Sequence, residues 1–385
     1  MYQFDEVTNR ENTAAAKWNE VKSCQLVPLT TADMEFKVCP DILEAIKTRL
    51  SHGILGYTKP DKHFYNAITT FIKRHHQFDV TEEMIVCSTS GMPALISGIK
   101  ACSKKGEGVI LLSPTYTGFY KSISYTKRVL KDCPLIYSNH TYKIDFSLLE
   151  ELAKDIHNKV LILCSPHNPV GRVWSREELQ KVLEICEQHD VSILSDEIHW
   201  DLILEGKHVS LGCADEIYKK RIILLTSPTK TFNLAGTQLA YSIIFNESLR
   251  IKFKEELLKL GQGEVISTFG YESLIAAYQL GDLWLKELIF YVQENVKLFE
   301  KWLRKHHPEI GIIRPEGTYL IWLDCRNVKP DYRSWLLTLE KEGIYFTDGA
   351  YFGIQGKGFV RVNLALPKKE LLKVLSHWES MDSSI

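Results

Sequence analysis

The stretch at residues 222–233, IILLTSPTKTFN, holds a continuous apolar run, a short polar turn and the amine of Lys230. An apolar run without alternation is typical of a strand buried on both faces of a mostly parallel sheet. Similar runs, each followed by a turn and a helical pattern, lie at 85–87, 109–112, 160–164 and 191–194. Residues 240–245 fit one more strand. The pattern predicts an α/β fold with right-handed crossovers.

The hydrophobic pattern of the sequence changes after residue 281. A long helix is predicted over 284–306 and another near 332–342, with strands over 319–323 and 359–364 that alternate more. Such alternation favours a smaller α+β domain packed on one side. We therefore expect a large domain over 50–283 and a smaller one from 1–49 with 284–385.

Composition narrows the class of function. Among 385 residues, Lys and Arg number 47 and Asp and Glu 48. Because these charges nearly balance, the protein has no long-range positive electrostatic field that would attract nucleic acid or an anionic membrane. No apolar run approaches the roughly 18 residues of a membrane span, and residues 1–20 lack the apolar core of a secretory signal. Nine scattered cysteines without a CxxC pair suit reduced thiols in a cytoplasmic protein. A small-molecule site is expected.

The turns that follow the predicted strands carry reactive side chains. Open α/β sheets bind ligands outside the carboxyl ends of their strands. The turns are STSGM (88–92), SPTY (113–116), SPHNP (165–169), SDEIH (195–199) and TSPTK (226–230). These turns should bring together, at one edge of the sheet, an anion-binding helix start, a flat ring, an amide, a carboxylate, an imidazole and an amine.

This set of groups is what pyridoxal 5′-phosphate (PLP) chemistry requires. The phosphate needs N–H and hydroxyl donors, and the ring needs a flat partner. A carboxylate keeps the ring nitrogen protonated, and a lysine binds the aldehyde. The sequence therefore predicts a PLP site at this edge, with Lys230 as its amine.

Several ordered motifs carry a resemblance to a known family. SPHNPVGRVW, SDEIHWDL, SPTKTFNLAGTQ, GTYLIWLDC and GFVRVN resemble PLP-dependent enzymes of fold type I, the aspartate aminotransferase superfamily. TADMEF, LGYTKPD and DEIHWDL resemble, within it, the branch of MalY- and PatB-type cystathionine β-lyases. The similarity runs from about residue 31 to 367. It implies a mostly parallel large-domain sheet with a smaller α+β domain.

The resemblance implies roles around the cofactor ring. Lys230 would bind the cofactor covalently and later move the Cα proton, and Asp196 would pair with the ring nitrogen. Asn168 would hydrogen-bond the phenolic oxygen, and Tyr116 would stack on the ring. His199 stands where aminotransferases usually have tyrosine and the lyase branch has histidine.

Phosphate contacts follow from the same resemblance. Gly91, Met92, Ser227 and Thr229 would hold the phosphate, although the first motif is one residue short of the family pattern. Tyr57 would reach the phosphate of a neighbouring subunit, which implies a homodimer. Many aminotransferases have a basic residue eight positions after the lysine, where this chain has Gln238.

Substrate contacts and the reaction are implied as well. Arg361, Asn168 and Asp33 would bind the amino-acid substrate, and Arg361 would bind its α-carboxylate through two parallel hydrogen bonds. The expected reaction is β-elimination from L-cystathionine or related cysteine S-conjugates, giving a thiol, pyruvate and ammonia, as in methionine biosynthesis. An aminotransferase uses the same groups and stays an alternative. A second alternative adds binding of a transcription regulator, as in MalY-type members.

Each of these residues also has a plainer interpretation. Asp196 could cap a helix, His199 could be a core histidine, Tyr116 could serve packing, and Arg361 could belong to a structural ion pair. For Tyr57, packing and a contact across subunits are equally supported by the sequence. No metal is expected, and the pairs 75–76 and 306–307 are read as solvated histidines.

Overall fold

The predicted apolar runs form strands at the centre of the fold. The computed structural model describes residues 2–21 and 26–382. The strands are β1 (Ile85–Ser88), β2 (Gly108–Ser113), β3 (Val129–Pro134), β4 (Ile136–Ser138), β5 (Thr141–Lys143), β6 (Asn158–Cys164), β7 (Ser192–Asp196), β8 (Ile222–Thr226), β9 (Ala240–Ile244), β10 (Gly311–Ile313), β11 (Leu320–Asp324), β12 (Thr347–Asp348) and β13 (Phe359–Asn363).

Helices separate most of these strands, as the strand–helix alternation predicts. They are α1 (Ala16–Asn19), α2 (Pro40–Ser51), α3 (Lys62–His76), α4 (Gly91–Cys102), α5 (Thr117–Tyr125), α6 (Phe146–Lys154), α7 (Arg176–Gln188), α8 (Glu216–Lys219), α9 (Pro228–Thr231), α10 (Glu247–Lys259), α11 (Thr268–Leu280), α12 (Asp282–His306), α13 (Tyr332–Lys341) and α14 (Lys368–Asp382). The long helix predicted over 284–306 is confirmed as α12.

The larger sheet has seven strands in the order β1-β9-β8-β7-β6-β2-β3. Its strands are parallel except β9, which is antiparallel to both β1 and β8. Strands β2 and β8 are buried at every position, as continuous apolar runs require. The prediction of a mostly parallel α/β sheet is confirmed.

Strand β3 at one edge of this sheet was not predicted. Its sequence, VLKDCP, mixes charged residues and proline with apolar ones. Val129 and Leu130 are 46% and 40% exposed, because an edge strand has a neighbour on one side alone. Charge and proline are common at sheet edges, where they discourage pairing with other chains.

The smaller sheet is antiparallel, in the order β10-β11-β13-β12. We expected its strands to face solvent on one side, but β11 and β13 are buried throughout, so that expectation is wrong. The hairpin β4–β5 contacts it through Tyr142, whose hydroxyl accepts a hydrogen bond from Trp322 Nε1 at 3.1 Å. Helix α12 contacts it through Asn295, whose Nδ2 donates to the Leu364 carbonyl at 3.0 Å.

The N-terminal segment runs between the two sheets. The Leu29 N–H donates to the Tyr345 carbonyl, and the Asn363 N–H donates to the Leu29 carbonyl, both at 3.0 Å. Helix α2, which follows, packs against α11. This course places residues 30–36 beside the carboxyl edge of the larger sheet, where the candidate site lies.

One side chain of each histidine pair turns inward, since those of His76 and His307 are 6% and 9% exposed, so the reading of both pairs as solvated is wrong. His76 Nε2 lies 2.9 Å from Asp201 Oδ1, and its ring stacks on Trp200 at 3.7 Å. The His307 ring stacks on Trp378 at 4.5 Å. Adjacent histidines at the end of a helix point in different directions, so one of each pair can turn inward.

Candidate active site

A cavity of about 840 Å³ opens at the carboxyl edge of the larger sheet. The side chains that line it come from turns after β1, β2, β6, β7 and β8 and from strand β13. Most of the residues predicted from the sequence are among them: Gly91, Met92, Tyr116, Asn168, Asp196, His199, Ser227, Thr229, Lys230 and Arg361. The topology thus brings together groups that are up to 270 positions apart in the sequence, from Gly91 to Arg361.

Lys230 stands on the short helix α9, which the preceding turn fixes. The Ser227 hydroxyl caps this helix by accepting a hydrogen bond from the Thr229 N–H at 3.1 Å. The Lys230 Nζ donates to the carbonyl of Ala32 at 2.6 Å. Burial, followed by the positive charge of Arg361, lowers the pKa of Lys230 to about 8. The amine therefore loses its proton more readily than an ordinary lysine.

Asp196 is the last residue of β7, and its carboxylate faces the cavity. Its Oδ1 accepts a hydrogen bond from the Ile198 N–H at 3.1 Å. Among the described residues, no basic side chain forms an ion pair with it. Burial raises the pKa of Asp196 to about 6, against the smaller effects of that N–H and of Lys230. Such a carboxylate is well suited to a cationic ligand group.

Arg361 and Asn168 meet in the cavity wall. Arg361 Nη1 donates to Asn168 Oδ1 at 3.2 Å, and Nη2 donates to the Thr30 carbonyl at 3.1 Å. Arg361 is 7% exposed, and burial lowers its pKa to about 10. Within residues 2–21 and 26–382, no carboxylate pairs with this guanidinium. A buried guanidinium without a counter-ion favours an anionic ligand, which it can bind through two parallel hydrogen bonds.

Two rings complete the centre of the cavity. His199 is buried, its Nδ1 has no hydrogen-bond partner in the described structure, and its ring meets Tyr319 edge-on at 6.2 Å. Burial lowers the pKa of His199 to about 3, so the imidazole is neutral at physiological pH. Tyr116 is 41% exposed. Its ring packs against Gly118, where a Cβ would lie 2.2 Å from the ring. Glycine at 118 is needed for this ring position.

The start of α4 forms a cradle at one end of the cavity. Thr89, Ser90, Gly91 and Met92 line this part, and the Ser90 side chain makes no capping hydrogen bond. The first N–H groups of a helix have no partner within the helix. A Cβ on Gly91 would meet no atom within 4 Å, so the space before these N–H groups is open. Such a helix end suits an anion such as phosphate.

Two predicted site residues are not brought to this cavity. Tyr57 lies on the surface and is 97% exposed. The Asp33 carboxylate pairs instead with Lys17 at 2.8 Å and with Arg10 at 2.8 Å. Within the described chain, neither side chain contacts the cavity.

One part of the cavity lining is not predicted from the sequence. Residues from 345 to 352 contribute a run of aromatic and polar side chains: Tyr345, Phe346, Thr347, Asp348, Tyr351 and Phe352. The glycine-rich loop 349–358 forms two turns of 3-10 helix, and the first of them lines the cavity. The dense aromatics in YFTDGAYF were the one available signal.

Other kinds of site receive no support from the described residues. Among them, no group of three or more His, Cys, Asp or Glu side chains is arranged to hold a metal ion. No helix in this part of the chain combines the length and apolarity needed to cross a membrane. The eight cysteines within it form no disulfide, and Cys24 lies outside the described residues.

Comparison with known proteins identifies the family. The sequence model described as Aminotransferase class I and II matches residues 25–377. The chain belongs to the class I and II aminotransferase family. Cystathionine beta-lyase PatB of Bacillus subtilis is 35% identical over 94% of this chain and 94% of its own length. Protein MalY of Escherichia coli is 32% identical over 97% of each chain.

A solved structure extends this likeness to the fold of this aminotransferase-family chain. Cystalysin from Treponema denticola, whose crystal structure contains a pyridoxal 5′-phosphate cofactor, superposes with a TM-score of 0.95. It is 35% identical and covers 100% of this chain and 99% of its own. The PLP fold type I architecture is therefore shared over the whole length.

Proposed function

We propose that this protein is a PLP-dependent carbon–sulfur β-lyase acting on L-cystathionine or related cysteine S-conjugates. The products would be a thiol, pyruvate and ammonia. The likeness to PatB and cystalysin over nearly the whole chain supports this function. The observation that carries it is the cavity itself, where the amine of the half-buried Lys230 faces the same space as a carboxylate and a guanidinium that form no ion pair in the described structure.

The residues present fit PLP at its ring. The ring nitrogen of PLP is basic and needs an anionic partner to stay protonated. Asp196 is a half-buried carboxylate without a cation partner in the described structure, and such a carboxylate is the partner that the nitrogen requires. Asn168 keeps its Nδ2 group available as a donor for the phenolic oxygen, since Oδ1 is engaged by Arg361.

The residues also fit PLP at its phosphate and its aldehyde. The open start of α4 at Gly91 and Met92 offers N–H groups for the phosphate, and the hydroxyls of Ser227 and Thr229 lie in the same cavity wall. The pKa of Lys230 near 8 gives a larger share of neutral amine at pH 7 than an ordinary lysine has. A neutral amine is the form that reacts with an aldehyde.

Each side chain around the cofactor then has a separate role in the reaction. When bound, PLP supplies an electron sink that stabilises negative charge at the substrate Cα. Lys230 removes the proton from Cα as a general base, and Asp196 keeps the ring nitrogen protonated. Arg361 holds the α-carboxylate of the substrate and so fixes the direction of the Cα–H bond. His199, neutral at physiological pH, can hydrogen-bond without adding a charge beside Lys230.

An aminotransferase is the second candidate, because the matching family model carries that name. The two reactions diverge after the Cα proton has been removed, so the residues described above serve both. In a transfer, a keto acid must accept the amino group, whereas elimination needs no acceptor. The lyase is preferred because PatB is named as one at 35% identity.

A substrate test separates the two. Purified protein loaded with PLP would be mixed with L-cystathionine, and pyruvate and free thiol would be measured without any keto acid. Equal amounts of both products support the lyase. Product formation that requires an added keto acid, with glutamate or another amino acid appearing, would establish transfer instead.

We also propose a homodimer with shared sites in the cytoplasm. Tyr57 and its neighbours Ile54 and Leu55 are 97%, 66% and 53% exposed, which is unusual for three large apolar side chains close together. A partner subunit would cover them and receive Tyr57 at its phosphate cradle. Sedimentation of the loaded enzyme at micromolar concentration tests the dimer.

A further inference from the structure

Residues 30–36 form a wall of backbone carbonyls, and the first three of them, Thr30 to Ala32, line the cavity. The carbonyl of Ala32 accepts hydrogen bonds from Lys230 Nζ at 2.6 Å and from the Tyr319 hydroxyl at 3.0 Å. The carbonyl of Thr30 accepts from Arg361 Nη2 at 3.1 Å. One short segment thus contacts both the amine and the guanidinium of the candidate site.

Two asparagines hold this wall in place through hydrogen bonds. They lie shortly after Lys230 and Arg361 in the sequence. Asn233, three residues after Lys230, donates from Nδ2 to the carbonyls of Met34 at 3.1 Å and Phe36 at 3.0 Å. Asn363, two residues after Arg361, donates from Nδ2 to the carbonyls of Thr31 and Asp33, both at 2.7 Å. The position of the wall is therefore tied to the position of the site.

Four charged side chains cluster beside the wall: Lys17 and Glu35 are buried, and the side chains of Arg10 and Asp33 are 23% and 21% exposed. Lys17 is 1% exposed, and its Nζ lies 2.8 Å from Asp33 Oδ1, 2.9 Å from the Asp33 carbonyl and 2.9 Å from Glu35 Oε1. Arg10 contacts Asp33 Oδ2 at 2.8 Å and Glu35 Oε1 at 2.7 Å. Buried charges are costly to desolvate, and apolar side chains of similar size often stabilise a fold as well. Their presence here points to a role beyond stability.

We propose that Lys17 and Asp33 are positioning residues that hold the Ala32 carbonyl against the Lys230 amine and balance the charge around it. The inference rests on the proposed function, since it concerns the lysine that would bind PLP. It gives Asp33 an indirect role, in place of the direct substrate contact expected from the sequence.

The charges that act on Lys230 come from several elements. Burial is the largest effect and lowers its pKa, Arg361 on β13 lowers it further, and Lys17 lowers it as well. Asp33 and Asp196 act in the opposite direction. His199 is neutral, so it adds no charge. Loss of the Lys17 charge should therefore raise the pKa of the lysine nitrogen, and loss of the Asp33 charge should lower it.

A pair of opposite variants tests this inference on the full-length, PLP-loaded protein without substrate. The readout is the pH midpoint at which the visible absorption band of the bound cofactor changes. Lys17→Met should raise the midpoint and Asp33→Asn should lower it, each by about half a pH unit or more. In the double variant the two effects should largely cancel, because the cluster is again neutral. General loosening of the fold would not give shifts of opposite sign.

Matched controls make each outcome decisive. Lys17→Arg keeps the charge and should keep the midpoint, and Lys37→Met removes a lysine that is 54% exposed and screened by solvent, with no shift expected. If Lys17→Met does not fold, Asp33→Asn and Lys17→Arg decide the question. Unchanged midpoints in the two single variants, or shifts of the same sign, would overturn the proposal. A wild-type chain that shows no visible band with PLP would refute the proposed function instead.

Discussion

Arg361 Nη1 donates a hydrogen bond to Asn168 Oδ1 at 3.2 Å and so joins the two sheets across the cavity. Arg361 belongs to β13 of the smaller sheet, and Asn168 follows β6 of the larger one. An amide oxygen satisfies one N–H of the guanidinium but leaves its charge without a counter-ion. The site is therefore complete only when both sheets are in place, and it is prepared for an anion.

Replacement of this arginine should weaken substrate binding. In Arg361→Lys, the two parallel hydrogen bonds to a carboxylate are lost, and KM for the amino acid should rise about 10-fold or more. Arg326→Lys is the control, because Arg326 makes a similar two-point contact with Asp324 away from the cavity. Steady-state pyruvate release gives both constants. Equal KM values for Arg361→Lys and wild type would contradict the role of this arginine.

Removal of the Asp196 charge should slow the chemistry. Asp196→Asn has nearly the same shape but cannot keep the ring nitrogen protonated, so kcat should fall about 100-fold or more. Asp190→Asn removes an exposed carboxylate beyond helix α7 and should leave kcat unchanged. Single-turnover rates with saturating substrate test this. A kcat near that of wild type in Asp196→Asn would mean that the ring nitrogen has another partner.

Glu197 should make stability depend on pH. Burial raises the pKa of Glu197 to about 7, from an ordinary value of 4.5. Between these values the folded protein binds more protons than the unfolded chain, so the free energy of unfolding falls as the pH rises. Glu197→Gln removes this effect, which is worth roughly 3 kcal/mol at most. Its Tm, relative to wild type, should be higher at pH 8 than at pH 5.

The measurement for Glu197 needs a reference substitution. Glu216→Gln changes a carboxylate whose side chain is 86% exposed, so its Tm difference from wild type should be the same at both pH values. Calorimetric scans of the three proteins at pH 5 and pH 8 are sufficient. Parallel Tm values for Glu197→Gln and wild type would show that the Glu197 carboxyl titrates normally.

The Tyr57 hydroxyl should contribute to cofactor binding across the dimer. Tyr57→Phe keeps the ring but removes one hydrogen bond to the phosphate, so Kd for PLP should rise about fivefold. Tyr125→Phe, at a tyrosine that is 66% exposed on helix α5, is the control. Fluorescence titration of cofactor-free protein with PLP measures both. An unchanged Kd, or a loaded protein that sediments as a monomer, would remove the shared site.

The strands and their turns could be predicted because each gives a local signal. A strand buried on both faces requires an uninterrupted apolar run, and the polar residues that end it are visible in the sequence. Lys230 after β8 and Asp196 at the end of β7 were found in this way. Both now lie in one cavity, as expected from the rule that strand ends meet at one edge.

The wall at residues 30–36 could not be predicted from side-chain identity. The Lys230 amine binds a backbone carbonyl 198 positions away, and every residue has such a carbonyl. Asp33 looked like a ligand because it lies within the family motif TADMEF, but the backbone bends there, with the Asp33 N–H donating to the Thr31 carbonyl at 2.9 Å. Its carboxylate consequently meets Lys17 and not the cavity.

Identification of the lysine that binds PLP tests the central claim most directly. The purified chain would be loaded with PLP, reduced with borohydride, digested and mapped by mass spectrometry. We predict that one cofactor is attached, at Lys230, and that Lys230→Ala carries none and releases no pyruvate from L-cystathionine. Attachment at a different lysine, or no attachment at all, would contradict the account.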